Sequence, residues 1–477
     1  AMVRNNSITA KQSDQAYAED LRAPQHMFGD QPSSLAPAFT DWINQQLAGQ
    51  LGQKAIDQGG LRITTSLDWH LQQLAQAAVT STVAAERGRN LSDGAMVAID
   101  PRSGDVLAMV GSAGASTPGG EINLALTPRN PGSTFKLFTY TAAIASKKYT
   151  MVTPIRDAQL TVTLPHETYQ PTNDDHRYHG ICPLQQCLGN SLNIPAVEVE
   201  MGVGVPTVVN QARAMGAAPY QHQGSGYTDQ ANSNSFGPAL TLGGYPETVL
   251  RMAGGAAVLA NQGVLHPPRG LISAQGPNTG GLNSPNSGNG ALDPGAAFIV
   301  GQMLSKDANR SMIFGSNSPL VIAGRTVAAK TGTTDDFRDG WTVGYTPSLA
   351  TAVWMGNANS APMINQTDGV TVAAPAWHQF MVNALNSMGK GEEWYTPPSN
   401  VHQEMVDGAP AWFLENTSAQ TPAPQLPDNV KLAPAPTPEP ASNSGVPQWL
   451  CQGFLSFLCS PGGGQNQPSN FNPNNFP

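Results

Sequence analysis

At 477 residues the chain has room for two or three domains, yet only 12% of its residues are charged, for a net charge of −9. With no basic run and no apolar stretch of spanning length, this composition argues against a nucleic-acid partner and against a membrane helix within the chain. Gly (49 residues) and Pro (40 residues) are abundant, and much of the Pro lies late, where no core is expected.

In chain order, residues 1–60 read as an N-terminal linker and 61–390 as the main domain. Pro131-Gly132 breaks the chain just before Ser133, and Thr134 to Lys148 is free of Gly and Pro and reads as a helix. Ser133 is therefore expected at a helix N-terminus, where free N–H groups and the dipole favour developing negative charge. Lys136 lies three residues on, on the same face, within reach of the hydroxyl proton. Next, His176, His179, Cys182 and Cys187 allow two readings. One is a zinc-like cluster; the other, preferred here, is a Cys182–Cys187 disulfide, with Pro183 opening a helix and Cys182 outside it. Gly189-Asn190 break the chain before Ser191-Leu192-Asn193, which alone would read as a helix end.

The stretch from Gly276 to Gly290 reads as a solvated loop, so Ser284 and Ser287 are decoys for the S-x-N pattern. Arg325 to Lys330 reads as a strand leading into Lys330-Thr331-Gly332-Thr333. Trp341 to Tyr345 and Leu349 to Trp354, around Thr346-Pro347-Ser348, continue it as an antiparallel sheet. Ser387-Met388-Gly389-Lys390 repeats the S-x-x-K spacing with a Gly in its turn, and reads as a helix end. Residues 391–477 read as a Pro/Asn-rich extension, partly disordered, and removing everything after about Pro410 is expected to leave the fold intact. Seven of the twenty residues from Thr421 to Pro440 are Pro, and Gln465 to Pro477 is mostly Asn, Gln and Pro. Within the extension, Trp449 to Cys459 forms an apolar island. Its two cysteines, Cys451 and Cys459, would be about 12 Å apart along a helix, so they could pair only through a loop or hairpin.

Three strings thus fall in one order: Ser133-Thr134-Phe135-Lys136, Ser191-Leu192-Asn193 and Lys330-Thr331-Gly332-Thr333. They supply a serine with a lysine one turn away, a second hydroxyl with an amide, and a cationic strand. That is an inventory for attacking a peptide-like carbonyl through an acyl-enzyme. The order resembles that of penicillin-binding proteins and class A β-lactamases. Further segments narrow the resemblance to the transpeptidase domain of class A penicillin-binding proteins. They are Arg129 to Lys136, Asn190 to Val197, and Lys330 to Thr334 followed by Asp339-Gly340-Trp341 and Val343 to Pro347. Gly94 to Gly111 resembles the strand pair before the nucleophile, and Gly60 to Asp68 the opening strand. Asn123-Leu124-Ala125 departs from the family in lacking its usual Arg, and the glycosyltransferase domain of class A proteins is absent from this chain.

The resemblance implies an α+β fold of the penicillin-binding-protein/serine β-lactamase-like transpeptidase type: an antiparallel five-stranded sheet covered by helices on both faces, with an all-helical subregion. It implies a D,D-transpeptidase that cross-links peptidoglycan stem peptides, releases D-Ala and is blocked by β-lactams. Ser133 would be the nucleophile and Lys136 its base. Ser191 would hand a proton to the leaving amine, Asn193 would hold the donor's amide, and Lys330 would attract its carboxylate. Thr331, Gly332, Thr333 and Thr334 would line the substrate strand, and the N–H groups of Ser133 and Thr333 would form the oxyanion hole. No metal or cofactor is implied. The expected setting is the outer face of the bacterial cytoplasmic membrane, in a longer, anchored protein of which this chain is a soluble fragment. A class A β-lactamase would need a Glu with Asn four residues on between the second and third strings. Neither Glu198, Glu200 nor Glu247 has one. The rival from another class is a β-lactam sensor or a silent wall-binding scaffold, acylated or binding glycan without turning over stem peptides; sensors lack the Gly60 segment and the Thr334…Trp341 pattern.

Overall fold

The computed structural model describes residues 3, 8–18, 34–277, 279–364 and 367–434. The island at Trp449–Cys459, with Cys451 and Cys459, and the Gln465–Pro477 stretch lie outside the described residues. Five strands form the central sheet: β1 (Asp93–Ile99), β2 (Val106–Val110), β3 (Ala328–Thr333), β4 (Asp339–Thr346) and β5 (Leu349–Gly356). Their order is β3-β4-β5-β1-β2, and every neighbouring pair is antiparallel. Strands β1, β4 and β5 are buried at every residue, which requires both faces of the sheet to be covered.

Helices supply that cover. Alpha-helices introduced in chain order are α1 (Pro37–Leu51), α2 (Trp69–Ala85), α3 (Lys136–Ala145), α4 (Leu184–Gly189), α5 (Asn193–Val203), α6 (Val249–Ala260), α7 (Pro294–Ser305) and α8 (Gly369–Ser387). On one face α2 and α8 bury Val79, Val83, Trp377 and Phe380 against Met96, Val353 and Met355. On the other, α6 and the helices α3, α5 and α7 build a larger core with Phe138, Met252, Phe298, Trp341 and Val343. Asp68 caps α2 by accepting from Leu71 N at 3.0 Å. Asp368 and Thr371 close a capping box at the start of α8.

The structure redraws several sequence-level boundaries. The strand expected to start at Arg325 begins at Ala328, because Arg325 and Thr326 are tied instead to Asn386, Lys390 and Glu392 at and beyond the end of α8. Lys330-Thr331-Gly332-Thr333 therefore lies inside β3 rather than after it. The opening strand, Arg62–Thr65, pairs with Leu271–Gln275 in a separate sheet. The segment assigned to a linker contains α1, whose Phe39, Trp42, Ile43 and Leu47 are buried in the main core. At the other end, Val401–Val406 and Ala409–Leu414 form a hairpin that buries Ala411, Phe413 and Leu414 in that core. Val430–Leu432 then pairs with Leu160–Thr163. Residues after Pro410, expected to be dispensable, thus include buried ones: Pro-rich composition there spaces short strands whose few apolar residues pack.

Candidate active site

Ser133 sits in a 3₁₀ turn, Gly132–Phe135, that leads directly into α3, which ends at Ala145 before Lys147 adopts a left-handed backbone. The turn is pressed against β3. Gly132 has φ +54°, and a β-carbon there would lie 2.4 Å from Thr333 O. One at Gly332 would meet Pro131 O at 2.5 Å and Thr134 N at 2.7 Å. Only hydrogen at both positions lets the serine turn touch the strand backbone. From the other side, Trp341 Nε1 donates to Asn130 O at 2.8 Å, so β4 pins the same turn.

The second string sits between helices α4 and α5. Ser191 takes a left-handed φ of +61°, and Asn193 is the first residue of α5. The Cys182–Cys187 disulfide, with a Cα separation of 5.8 Å, joins the strand Gly180–Pro183 to α4. It occupies both sulfurs that a zinc cluster would have needed. Pro183 immediately precedes the helix, one residue earlier than expected, and Cys182 lies outside it.

Ser191 joins the three strings. Its carbonyl accepts from Lys136 Nζ at 2.5 Å, and its Oγ accepts from Lys330 Nζ at 2.7 Å. Lys136 Nζ also donates to Asn193 Oδ1 at 2.6 Å, and Lys330 Nζ to Thr331 O at 2.8 Å. Both lysines are buried. Burial pulls Lys136 down to about 7, opposed by the carboxylates of Asp174 and Asp157. Lys330 is held well below its ordinary value by burial, with the charges of Lys136 and Arg310 adding to the effect. Two buried ammonium groups on either side of one serine thus favour losing a proton from the pair.

The end of β3 is ordered by its own contacts. Thr333 Oγ1 accepts from Gly369 N at 3.1 Å, tying it to the start of α8. Thr334 Oγ1 donates to Asp339 Oδ2 at 2.9 Å, and Trp354 Nε1 donates to the other oxygen of Asp339 at 2.8 Å. Thr331 is buried in β3, and Gly332 is the close-approach point already described. The decoys stay apart. Ser387 ends α8 with its hydroxyl on Ala384 O; the 276–290 segment, expected as a loop, carries the short paired strands Leu282–Asn283 and Asn289–Gly290, with Ser284 and Ser287 between them.

Sequence reading missed the layer behind Asn193. Asn193 Nδ2 donates to Thr172 O at 2.9 Å and to Asp174 Oδ1 at 2.8 Å, while its backbone N–H donates to Asn173 Oδ1 at 2.8 Å. Asn173 Nδ2 in turn reaches both oxygens of the buried Asp157, which also accepts from His179 N. Arg310, nine-tenths buried or more, donates to Ala329 O beside Lys330. Thr172 to Asp175 carry no periodicity and look like a polar loop, so nothing in their spacing announced these contacts.

Residues 94–382 match the family described as penicillin binding protein transpeptidase domain. Among curated proteins, the chain is 30% identical over 422 residues to penicillin-binding protein 2D of Bacillus subtilis, covering 85% of this chain and 57% of that protein. It is 31% identical over 365 residues to penicillin-binding protein 1A of Neisseria gonorrhoeae, covering 73% and 42% respectively. The chain therefore spans about half the length of these curated relatives. Its fold is similar to that of PonA1 from Mycobacterium tuberculosis, solved in complex with penicillin V. That similarity has a TM-score of 0.65 and 25% identity, over 76% of this chain and 95% of that one.

Proposed function

The chain belongs to the penicillin-binding protein transpeptidase family, and from that premise we propose that it is a D,D-transpeptidase: Ser133 forms an acyl-enzyme with a stem peptide ending in D-Ala-D-Ala, and a second stem peptide's amine resolves it. The observation that carries this reading is Ser191, engaged on one side by Lys136 and on the other by Lys330.

Lys136 takes the Ser133 proton, its burial having brought it near 7, where a useful fraction is neutral. The Ser133 oxygen bonds to the penultimate carbonyl carbon. Charge then develops on the carbonyl oxygen in front of the Ser133 and Thr333 N–H groups, whose backbones meet at Gly132. Because Lys330 already donates to Ser191 Oγ, the Ser191 hydroxyl proton is free to point away, toward the leaving amine. The C–N bond breaks and D-Ala departs with that proton, which Lys330 Nζ replaces on Ser191 Oγ along their hydrogen bond while Lys136 keeps the proton from Ser133. Lys330 and the hydroxyls of Thr331 and Thr333 hold the terminal carboxylate on β3, with Gly332 and Thr334 shaping the strand around it. Asn193 steadies the donor's backbone from the opposite wall. A β-lactam enters the same way, but its leaving group stays tethered, so the acyl-enzyme persists.

The acting unit is proposed to run from about residue 35 to 434, wider than the 61–390 span, because α1 and the 401–414 hairpin bury apolar residues in its core. Its proposed place is the outer face of the bacterial cytoplasmic membrane, within a longer anchored protein. The Cys182–Cys187 disulfide is in keeping with an oxidising compartment. Intact-mass and peptide mass spectrometry after benzylpenicillin tests the reading. A single adduct on Ser133 that persists for hours, and is absent from folded Ser133→Ala protein, is expected. An adduct on Ser387, or one lost within minutes, would overturn it.

A further inference from the structure

We propose that Asp174 is a positioning residue that acts on Lys136 through Asn193, fixing the amide and the local charge that set when the lysine can accept a proton. The proposal rests on the reading of Lys136 as the acylation base.

The contacts form a chain of three groups. Asp174 Oδ1 accepts from Asn193 Nδ2 at 2.8 Å, and Asn193 Oδ1 accepts from Lys136 Nζ at 2.6 Å. An asparagine amide has two N–H donors and one oxygen. Both donors of Asn193 go to groups that only accept here, Thr172 O and the Asp174 carboxylate. The oxygen is thereby turned to the lysine, and both ends of the chain carry charge, which strengthens each link.

The charged groups around Lys136 fall on two sides. Burial opposes its ammonium form, and Asp174 and Asp157 favour it; at Lys330 the charges of Lys136 and Arg310 add to burial in disfavouring the ammonium, against Asp174. The two carboxylates differ in what else they hold. Asp157 is buried and organises Asn173 and His179 N, with the Asp175–His179 pair beside it. Asp174 is exposed and hydrogen-bonds inward to Asn193, its charge also favouring the ammonium of Lys330. Its charge is therefore the one that can be removed without dismantling the loop. Without it, the ammonium form of Lys136 loses a counter-charge. The lysine should then shed its proton at lower pH and, being a weaker base, pull less on Ser133.

The test is the pH profile of the second-order rate of Ser133 acylation by benzylpenicillin, for the wild type, Asp174→Asn, Asp174→Ser and Asp174→Glu, alongside thermal melting. The wild-type rate should rise with pH through an acid limb. Both neutral variants should move that limb down by about half to one unit and lower the plateau a few-fold. Asp174→Glu should overlay the wild type, and all melting midpoints should agree within about 2 °C, as expected for an exposed side chain. A limb that stays in place in both neutral variants, or moves up, overturns the role of Asp174 alone. A wild-type protein with no Ser133 adduct overturns the transpeptidase reading beneath it, and this proposal with it.

Discussion

Replacing Gly132 by Ala tests the contact that brings the Ser133 turn onto β3. Two effects separate. A residue at φ +54° with a β-carbon carries a left-handed penalty of about 1–2 kcal/mol. In addition, the new carbon would lie 2.4 Å from Thr333 O, 2.7 Å from its carbonyl carbon and 2.8 Å from its nitrogen, all backbone atoms without rotamers to escape into. Restoring ordinary van der Waals contact moves the turn about 1 Å from the strand, a displacement that typically costs about 10²-fold when it separates a nucleophile from the groups that stabilise its transition state. Gly389 is the internal control. It has φ +66°, and a β-carbon there meets nothing within 4 Å. Gly389→Ala should carry the same φ penalty and lower the melting midpoint by a few degrees, less than Gly132→Ala, yet acylate at the wild-type rate. Stopped-flow or quenched labelling with a fluorescent penicillin reads the rate, and differential scanning fluorimetry the midpoint. If Gly132→Ala acylates within about threefold of wild type, the close approach of turn and strand has no bearing on the chemistry.

Lys136 should also leave a mark on stability. Its folded-state value is lowered to about 7, so between there and its ordinary value of 10.5 the unfolded chain binds more protons, and stability should rise with pH across that window. The melting midpoint of wild type relative to Lys136→Met should therefore climb from about pH 7 to about pH 10; a flat difference would mean the lysine is not depressed. Truncation after Ala433 should keep acylation and the melting midpoint. Truncation after Pro410 should cost about 4–6 kcal/mol by removing Phe413 and Leu414 from the core, and a chain cut there that melts normally would refute their packing. Reducing Cys182–Cys187 opens a small loop worth on the order of 2 kcal/mol, and should slow Ser133 acylation by more than it lowers the midpoint, because the bridge fixes where α4 starts. Peptide mapping that finds both thiols free in protein from an oxidising compartment would overturn the bridge.

What was legible in the sequence was what repeats locally or carries unusual chemistry. The break at Pro131-Gly132, the turn around Pro347 and the three strings needed only a few neighbouring residues to be read, and the five-stranded sheet followed from their resemblance to a known family. Packing across long separations left no such trace. Nothing local in Phe39-Thr40-Asp41-Trp42 sets a core helix apart from a linker; for α1 the decision came from Trp42 and Ile43 meeting residues far along the chain, Gly270 among them. Val430 looked like part of a Pro-rich tail because its partner, Val162, lies in a different part of the sequence. Asp174 looked solvated, and it is exposed, yet one of its oxygens faces inward.

The strand order has a consequence for how the protein comes to be made. Strand β1 pairs with β5, Ile99 opposite Ala350, so the middle of the sheet joins segments roughly 250 residues apart in the chain. At ribosomal speeds of about 5–20 residues per second, the apolar hairpin β1–β2 emerges well over ten seconds before the strand that will cover its edge. Throughout that interval it is an unpaired edge of the kind that aggregates, and a place where a chaperone would be expected to bind. Ser133 is translated early, but its turn meets β3 at Thr333 only once that strand has been made. A penicillin adduct on Ser133 should therefore count chains that have finished folding, and could serve as a clock for the process.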